Sequence, residues 1–467
     1  MEADLTPPSG ENYRRLSLWW DGLPGTIGRR DPLDGDTEVD VAIVGGGLTG
    51  LWTAYYLSEA DPGLRIDVLE RDIAGFGASG RNGGWCSALF SVSDSKLDRQ
   101  CGPGSGRAQR LAMQETVREV GRVVADEGID CGFRQGGTVV LARTPAQLAR
   151  MHAEVGEARA RGIVEDDLAL LSPAEARERV GATGVLGGTY TPHCAAVDPA
   201  RLVRGLADVV ERRGVRIHEQ TQVLGLAPGV VTTTRGTVRA RTVVRATEGY
   251  TRTLEGHERD IIPVYSLMIA TEPLGDSFWE EHGLADRETF ADDRHLVIYG
   301  QRTQDGRMAF GGRGAPYHFG STIRPEYDRD DSVHESLRRT LVELFPALSD
   351  AAVTHRWGGP LGITRDWFSS VGIDPTTRLA WAGGYVGDGL STTNLAGRTL
   401  RDLIVGEATG LTALPWVNHR SRKWEPEPFR YVGINAGLRL AGTADRAEER
   451  RGRTTWHSRA LDKLVGG

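Results

Sequence analysis

Two periodicities meet in the stretch "VDVAIVGGGLTGLWTAYYLSEA", residues 39–60. Val39, Val41, Ile43 and Val44 form an apolar β-branched run, the pattern of a parallel strand covered on both faces. Leu48, Leu51, Trp52, Tyr55, Tyr56 and Leu57 then recur at helical spacing. Between them Gly45, Gly47 and Gly50 fit G-x-G-x-x-G, with a strand before and a helix after, the context that gives the pattern meaning. Gly45 suits the tight turn, Gly47 the close approach of a pyrophosphate, and Gly50 close packing of helix on strand. Leu48 and Thr49 open the helix, whose unpaired N–H groups favour phosphate. A second strand, "LRIDVLE", ends in Glu70, followed by Arg71. A carboxylate at that distance accepts ribose hydroxyls and disfavours a 2′-phosphate.

Two more glycine-rich segments extend this dinucleotide site. In "GFGASGRNGGW", residues 75–85, Gly77, Gly80, Gly83 and Gly84 let the backbone lie against a ligand, while Ser79, Arg81 and Asn82 offer donors. In "LAWAGGYVGDGLSTTNLAGRTLRDLI" an apolar strand, 379–382, meets glycines and then a helix from about Leu390. The N-terminus of that helix suits the negative charge that a flavin ring gains on reduction. A nicotinamide enzyme could stop at the first unit; the added segments suit a long extended ligand that carries a flavin.

Elsewhere "CGFRQGGTVVLARTPAQLARM" predicts strand, turn and helix, with Thr144 capping before Pro145. "DPARLVRGLADVVERRG" predicts a helix capped by Asp198 and ended by Gly214. From about residue 261 to 319, "VYSLMIATEPL", "HLVIYGQ" and "RMAFGGRG" alternate like antiparallel strands. The expected class is α/β: a Rossmann-like, glutathione-reductase-type FAD domain (38–127, 186–254 and 355–412) interleaved with an α+β antiparallel-sheet substrate domain (128–185 and 255–354). A tail, 413–467, carries the mixed-charge run "TADRAEERRGRTTWHSRALDKL", whose interrupting acids favour a solvated or edge-packed helix over a membrane-surface one.

Composition narrows the partners. At 467 residues and 39% hydrophobic, the chain supports more than one core. A dispersed net charge of -7 argues against nucleic acid or an anionic membrane. Cys86, Cys101, Cys131 and Cys194 lack zinc or disulfide spacing, no metal cluster is expected, and no apolar run reaches spanning length. The start, "MEADLTPPSGENYRRL", is polar and without a signal-like apolar core. These features predict a cytoplasmic protein without integral membrane association.

The motifs resemble the D-amino-acid oxidase and glycine oxidase superfamily of FAD-dependent amine oxidoreductases, most of all its γ-glutamylputrescine oxidoreductase branch. The likeness rests on the fingerprint, "GASGRNGG", "TVVRATEGYT", "RWGGPLGITRD", "GGYVGDGL" and "KWEPEPFRYVGI". It implies FAD held by Gly45, Gly47, Gly50, Glu70, Ala78, Ser79, Arg81, Asn82, Val223, Ala246, Gly387, Asp388 and Gly389, and because "GGYVGDGL" and "RMAFGGRG" contain no Cys or His to tether it, the FAD is expected to be non-covalent. Leu48, Thr49, Arg71, Gly77, Gly83, Gly84, Thr247, Gly384 and Leu390 complete the expected cradle. Val223, closing "VRIHEQTQV", would meet adenine through its backbone. Glu248 departs from the pattern, since relatives commonly carry Ala-Thr-Gly or Ala-Thr-Asn there.

The implied reaction oxidises the C–N bond of an amine or amino acid by hydride transfer to flavin N5, giving an imine that hydrolyses. It needs no side-chain nucleophile or obligatory base, so no catalytic residue is assigned. Arg313 is a candidate for a substrate carboxylate or other polar end, or for a structural ion pair. Tyr265, Tyr299, Tyr317, His318 and Trp357 are candidates for the pocket wall, with sheet packing and a satisfied loop histidine as the alternatives. The acceptor is oxygen or another molecule, with a weak oxidase as the expectation. No lysine lies between Lys96 and Lys423, so a cation assisting oxygen reduction would have to be Arg313, His318 or Arg356. A flavin monooxygenase, another FAD dehydrogenase and a non-enzymatic binding module are the competing functions.

Overall fold

The computed structural model describes residues 10–453, built around two eight-stranded sheets. In the first, Thr37–Val44 lies between two parallel neighbours, Gly236–Arg245 and Ile66–Leu69. Leu379–Gly383 extends the sheet beyond Gly236–Arg245, Ser370–Ile373 adds an antiparallel edge, and Arg216–His218 closes the other side. The hairpin Val223–Ala227 and Val230–Thr233 joins through Gly236–Arg245. The parallel strands require helical crossovers, and these cover the faces.

The helix Leu48–Ala60 is buried nearly all round, because Gly389–Val405 and Pro199–Arg212 pack against it. Two glycines set these distances. A Cβ on Gly50 would stand 2.1 Å from the Gly45 carbonyl oxygen, so only glycine lets the helix start so close to the strand end. A Cβ on Gly397 would lie 2.7 Å from both Cβ and the carbonyl carbon of Trp52, which fixes the approach of Gly389–Val405.

The second sheet runs Val353–Ile363, Ile262–Thr271, Met308–Arg313, Ile298–Arg302, Thr289–Asp292, Thr138–Ala142, Gly187–Thr191, Ala169–Leu171. All pairings are antiparallel except Thr289–Asp292 with Thr138–Ala142. Leu267, Ile269, Phe290 and Phe310 pack beneath Asp331–Leu344, whose Leu337, Leu341 and Leu344 form its buried stripe. The expected caps are present: Thr144 and Gln147 form a capping box, and Asp198 accepts from Ala200 and Arg201 N–H groups.

Both ends of the described chain are packed. Residues Gly10–Arg14 and Leu18–Asp21 form short helices, with Tyr13, Trp19 and Trp20 buried. Phe429–Arg451 lies against the turn between Thr289–Asp292 and Ile298–Arg302 and against the Pro145–Ala160 helix: Asp445 accepts the His295 and Leu296 N–H groups and Glu448 pairs with Arg150 at 2.8 Å. The last part of the mixed-charge run, 454–464, lies outside the described residues. Among the described residues no helix is long and apolar enough to cross a membrane, and no cluster of three metal-ligating side chains occurs.

Gly397→Ala tests the helix contact. Overpacking costs roughly 1–3 kcal/mol, so the variant should melt several degrees lower, and thermal denaturation with an unshifted midpoint would contradict the packing described.

Candidate active site

One continuous cavity begins at the carboxyl ends of the parallel strands and runs to the second sheet. Its volume, about 360 Å³, is that of a small-molecule site. At the near end it is lined by Gly45, Gly47, Leu48, Thr49, Glu70, Arg71, Val223, Ala246 and Thr247, then by Gly77, Ala78, Ser79, Arg81, Asn82 and Gly83. Gly387, Asp388, Gly389, Leu390 and Thr393 bring in the N-terminus of the Gly389–Val405 helix. At the far end stand Trp85, Thr138, Val140, Ser266, Ala291, Tyr299 and Leu361.

Gly45 turns the strand into the cavity with φ +112°, where a Cβ would meet the Ala246 carbonyl oxygen at 2.4 Å. A Cβ on Gly47 would come within 2.9 Å of Ser79 Oγ, so the backbone here presents bare peptide to a ligand. Ser79 Oγ accepts the Leu48 N–H at 2.9 Å, tying the second glycine segment to the helix start. This is a cradle in which an extended dinucleotide fits, with its phosphates toward the helix N-terminus.

Glu70 stands one residue past the end of Ile66–Leu69. Its carboxylate accepts the Gly46 N–H at 2.8 Å and the Asp72 N–H at 2.9 Å. Burial in the cavity wall pushes its carboxyl up to about 7, against the pull of those two N–H groups. Glu248, with φ +40°, behaves similarly. Its oxygens accept the N–H groups of Gly384 (2.8 Å) and Tyr385 (3.2 Å), and burial raises its carboxyl to about 7. The Tyr385 hydroxyl lies 3.0 Å from Thr49 Oγ1, so Glu248 and Thr49 hold the loop before the late helix from two sides. Arg81 reaches Asp328 at 2.6 Å, the Tyr250 hydroxyl at 3.1 Å and the Gly358 carbonyl at 3.2 Å. Burial works against its charge, and the Asp328 carboxylate overrides that, keeping the guanidinium ionised.

Three of the expected cradle glycines lie behind the wall. Gly50 packs under the turn, Gly84 has no room because Gln301 Nε2 would be 2.2 Å from a Cβ, and Gly384 donates to Glu248. Of the candidates for the substrate wall, Tyr299 lines the cavity, its hydroxyl 2.8 Å from Ser266 Oγ and its ring edge-on to Trp85. The others lie elsewhere. Tyr265 is buried with its oxygen accepting the Arg324 N–H at 3.3 Å, and His318 stacks on Tyr327 with centroids 3.4 Å apart. Burial holds the His318 imidazole below its usual range, so it stays neutral near pH 7. Tyr317 donates to Glu427, and Trp357 donates to the Arg81 carbonyl at 2.9 Å. Arg356 sits half-exposed, 3.9 Å from Asp331. Arg313 ends its strand in register with Ser266, and its side chain lies outside what the structure describes.

The sequence reading missed Glu248 as an anchor and Trp85, Ser266 and Leu361 as wall residues. Ser266 neighbours Tyr265 on one strand, and the alternation puts them on opposite faces; only the sheet's packing tells which face meets the cavity.

Residues 40–403 match the family model described as DAO, FAD dependent oxidoreductase. The chain is 30% identical over 410 residues to a probable oxidoreductase OrdL of Rhizobium meliloti, covering 82% of this chain and 86% of the relative. It is 29% identical over 396 residues to γ-glutamylputrescine oxidoreductase of Escherichia coli, covering 83% and 89%. The fold is similar to the crystal structure of glycine oxidase from Geobacillus kaustophilus, with TM-score 0.67, 24% identity, and coverage of 82% and 99%. The chain belongs to the DAO family of FAD-dependent oxidoreductases. FAD is therefore its cofactor, and the cradle fits it.

Two outcomes follow from the acids. Above about pH 8, where the Glu70 carboxyl has lost its proton, Glu70→Gln removes a charged acceptor worth roughly 1.5–3 kcal/mol, so the FAD dissociation constant should rise about tenfold or more, read by flavin fluorescence on reconstitution at that pH. Unchanged affinity would mean that Glu70 does not hold the cofactor. The second concerns pH. Folded apoprotein holds the Glu248 proton up to about pH 7, whereas the unfolded chain releases it near its ordinary 4.5. This contribution to stability is thus complete below about pH 4.5 and lost as pH rises through about 7. The melting temperature of wild-type apoprotein, relative to Glu248→Gln, should fall between about pH 5 and 7.5; a flat or rising difference would contradict it.

Proposed function

We propose that this chain oxidises the C–N bond of an amine or amino acid, the carbon beside an unprotonated amine yielding a hydride and the resulting imine hydrolysing to a carbonyl product. The observation that carries this reading is the division of one cavity between two kinds of wall. One end is glycine backbone, a helix N-terminus and Glu70; the other is largely apolar, with the Tyr299–Ser266 hydroxyl pair set into it. FAD, when bound, supplies the hydride acceptor.

The chain's own residues supply position and environment. An apolar wall of Trp85, Val140, Ala291 and Leu361 disfavours an ammonium ion and so favours the neutral amine that can react. The Tyr299–Ser266 pair offers a fixed hydrogen-bonding group beside that wall, and the N-terminus of Gly389–Val405 favours negative charge at its end of the cavity. A substrate carboxylate would call on Arg313, at the level of Ser266 in the sheet. The name of the γ-glutamylputrescine oxidoreductase relative supports an amine nitrogen beside the oxidised carbon.

Cysteine and histidine are absent from the described cavity wall, which supports non-covalent FAD. The described cysteines form no disulfide, and burial raises the Cys131 and Cys194 thiols, to about 12 and about 11, as a reducing cytoplasm permits. As electron acceptor we favour a molecule other than oxygen. Arg81, the buried guanidinium on the wall, is neutralised by Asp328, and Arg71, the other arginine of the described wall, lies over the Tyr250 ring at the nucleotide end, so neither puts an unpaired cation at the substrate end to assist oxygen reduction.

Anaerobic mixing with polyamines, acylated polyamines, N-methyl amino acids and D-amino acids should bleach the visible absorbance without NADPH. Bleaching that needs NADPH would favour a monooxygenase, and a protein that takes up no FAD would favour a binding module. Acid precipitation should release all the yellow colour into the supernatant. After reduction by substrate, reoxidation by oxygen should be slower than turnover with an artificial acceptor; oxygen keeping pace with turnover would make the protein an oxidase.

A further inference from the structure

The cofactor loop, residues 75–85, contains five glycines and cannot hold a single shape by its own preferences. The Asn82 side chain ties part of it from within, donating to the Ala78 and Ser79 carbonyls and accepting the Gly84 N–H, and the rest of its backbone is fixed from outside. The carbonyls of Gly80, Arg81, Asn82 and Gly83, four in succession, each accept from a side chain beyond the loop: Ser17 Oγ (3.3 Å), Trp357 Nε1 (2.9 Å), Trp19 Nε1 (2.8 Å) and Gln301 Nε2 (2.5 Å). Two of these donors belong to the second sheet. The other two belong to the N-terminal segment, which precedes the residues matched by the family model.

That segment is built as a strap. Arg14 donates to the carbonyls of Asp21 (2.6 Å), Leu23 (2.9 Å) and Gly25 (2.6 Å), closing it on itself, and Tyr13 donates to Asp72 at 2.7 Å. Trp19 and Trp20 are 4% and 0% exposed, in one cluster with Ile73 and Ala200 from the nucleotide side and with Met268, Ala309 and Trp357 from the second sheet. Trp20 leaves no space at the loop, since a Cβ on Gly80 would be 2.7 Å from its Nε1. Carbonyls engaged by outside donors are not presented to an anionic ligand in the cavity, so the strap also sets the loop's electrostatic face.

We propose that the segment 13–21, with Trp19 and Ser17 as positioning residues, is a strap that sets the cofactor loop, so that docking of the strap and retention of FAD are coupled. The coupling is reciprocal: FAD that orders the loop strengthens the strap's docking by the same factor. This depends on FAD occupying the cavity and not on which amine is oxidised.

The test uses the holoenzyme. Trp19→Phe keeps an aromatic ring in the cluster and removes the donor to Asn82. FAD release, followed by flavin fluorescence after dilution, should accelerate roughly three- to tenfold, with Ser17→Ala showing a smaller increase in the same direction. Amide hydrogen exchange over residues 13–23 should be slower in the FAD-loaded protein than after FAD removal. A folded Trp19→Phe with FAD bound and wild-type release overturns the strap and leaves the cofactor site intact. Exchange over 13–23 that is indifferent to FAD overturns it too, and decides the matter if Trp19→Phe does not fold.

Discussion

The contact between Gly50 and the Gly45 carbonyl governs the geometry of the site. Because no side chain separates them, the Leu48–Ala60 helix begins directly on the end of the Thr37–Val44 strand, and its N-terminal amides open into the crevice at the strand's carboxyl end. Every other part of the cradle is placed relative to that start. Ser79 reaches it by bonding to Leu48 N–H, the loop before the late helix reaches it through Tyr385 and Thr49, and Gly397 lets the late helix lie against Trp52. Two helix N-termini thus converge on one cavity, which concentrates favourable potential for a ligand with a diphosphate at one end and a ring that gains negative charge at the other.

Acids near such a site need a reason to be there, since a bare carboxylate would repel the same ligand. Glu70 and Glu248 both spend their oxygens on backbone N–H groups, and burial favours their protonated forms. Arg81 and Asp328 neutralise each other in the same wall. These acids and the Arg81–Asp328 pair therefore contribute little net charge, which leaves Arg71, the helix termini and bare backbone as the cavity's main anion-favouring elements.

The part of this arrangement visible in the sequence is the part that local rules determine. Val39 to Leu57 spells strand, turn and helix because each step depends on residues a few positions apart, and the same is true of the caps at Thr144 and Asp198. The substrate wall was not legible in this way. Tyr265 and Ser266 sit on one strand with equal claims by propensity, and the packing of Tyr265 against His318 and Tyr327 is decided by elements more than fifty residues away. Trp357 was chosen as a pocket aromatic, and its indole instead fastens the Arg81 carbonyl from behind. The stretch up to Leu16 is polar in sequence, and its Tyr13, like Trp19 and Trp20 just beyond it, acquires a role only when the loop 75–85 and the second sheet are brought to meet it.

Glu248 shows how a departure from pattern can carry structural information. An acid after "RAT" departs from the small or amide residue that the family resemblance leads one to expect, and its φ of +40° is uncommon for a side chain of its kind. Such a conformation persists when the surroundings over-determine it. Here they do: Gly384 and Tyr385 N–H groups hold the carboxylate, and glycines at 362 and 383 leave room for it, a Cβ on either coming within 2.8 Å of a Glu248 oxygen. The acid and the missing side chains at 362 and 383 are one feature divided over three strand ends. Gly362 and Gly383 come from different sheets, so the same carboxylate that steadies the loop before the late helix also occupies the seam where the second sheet meets the first.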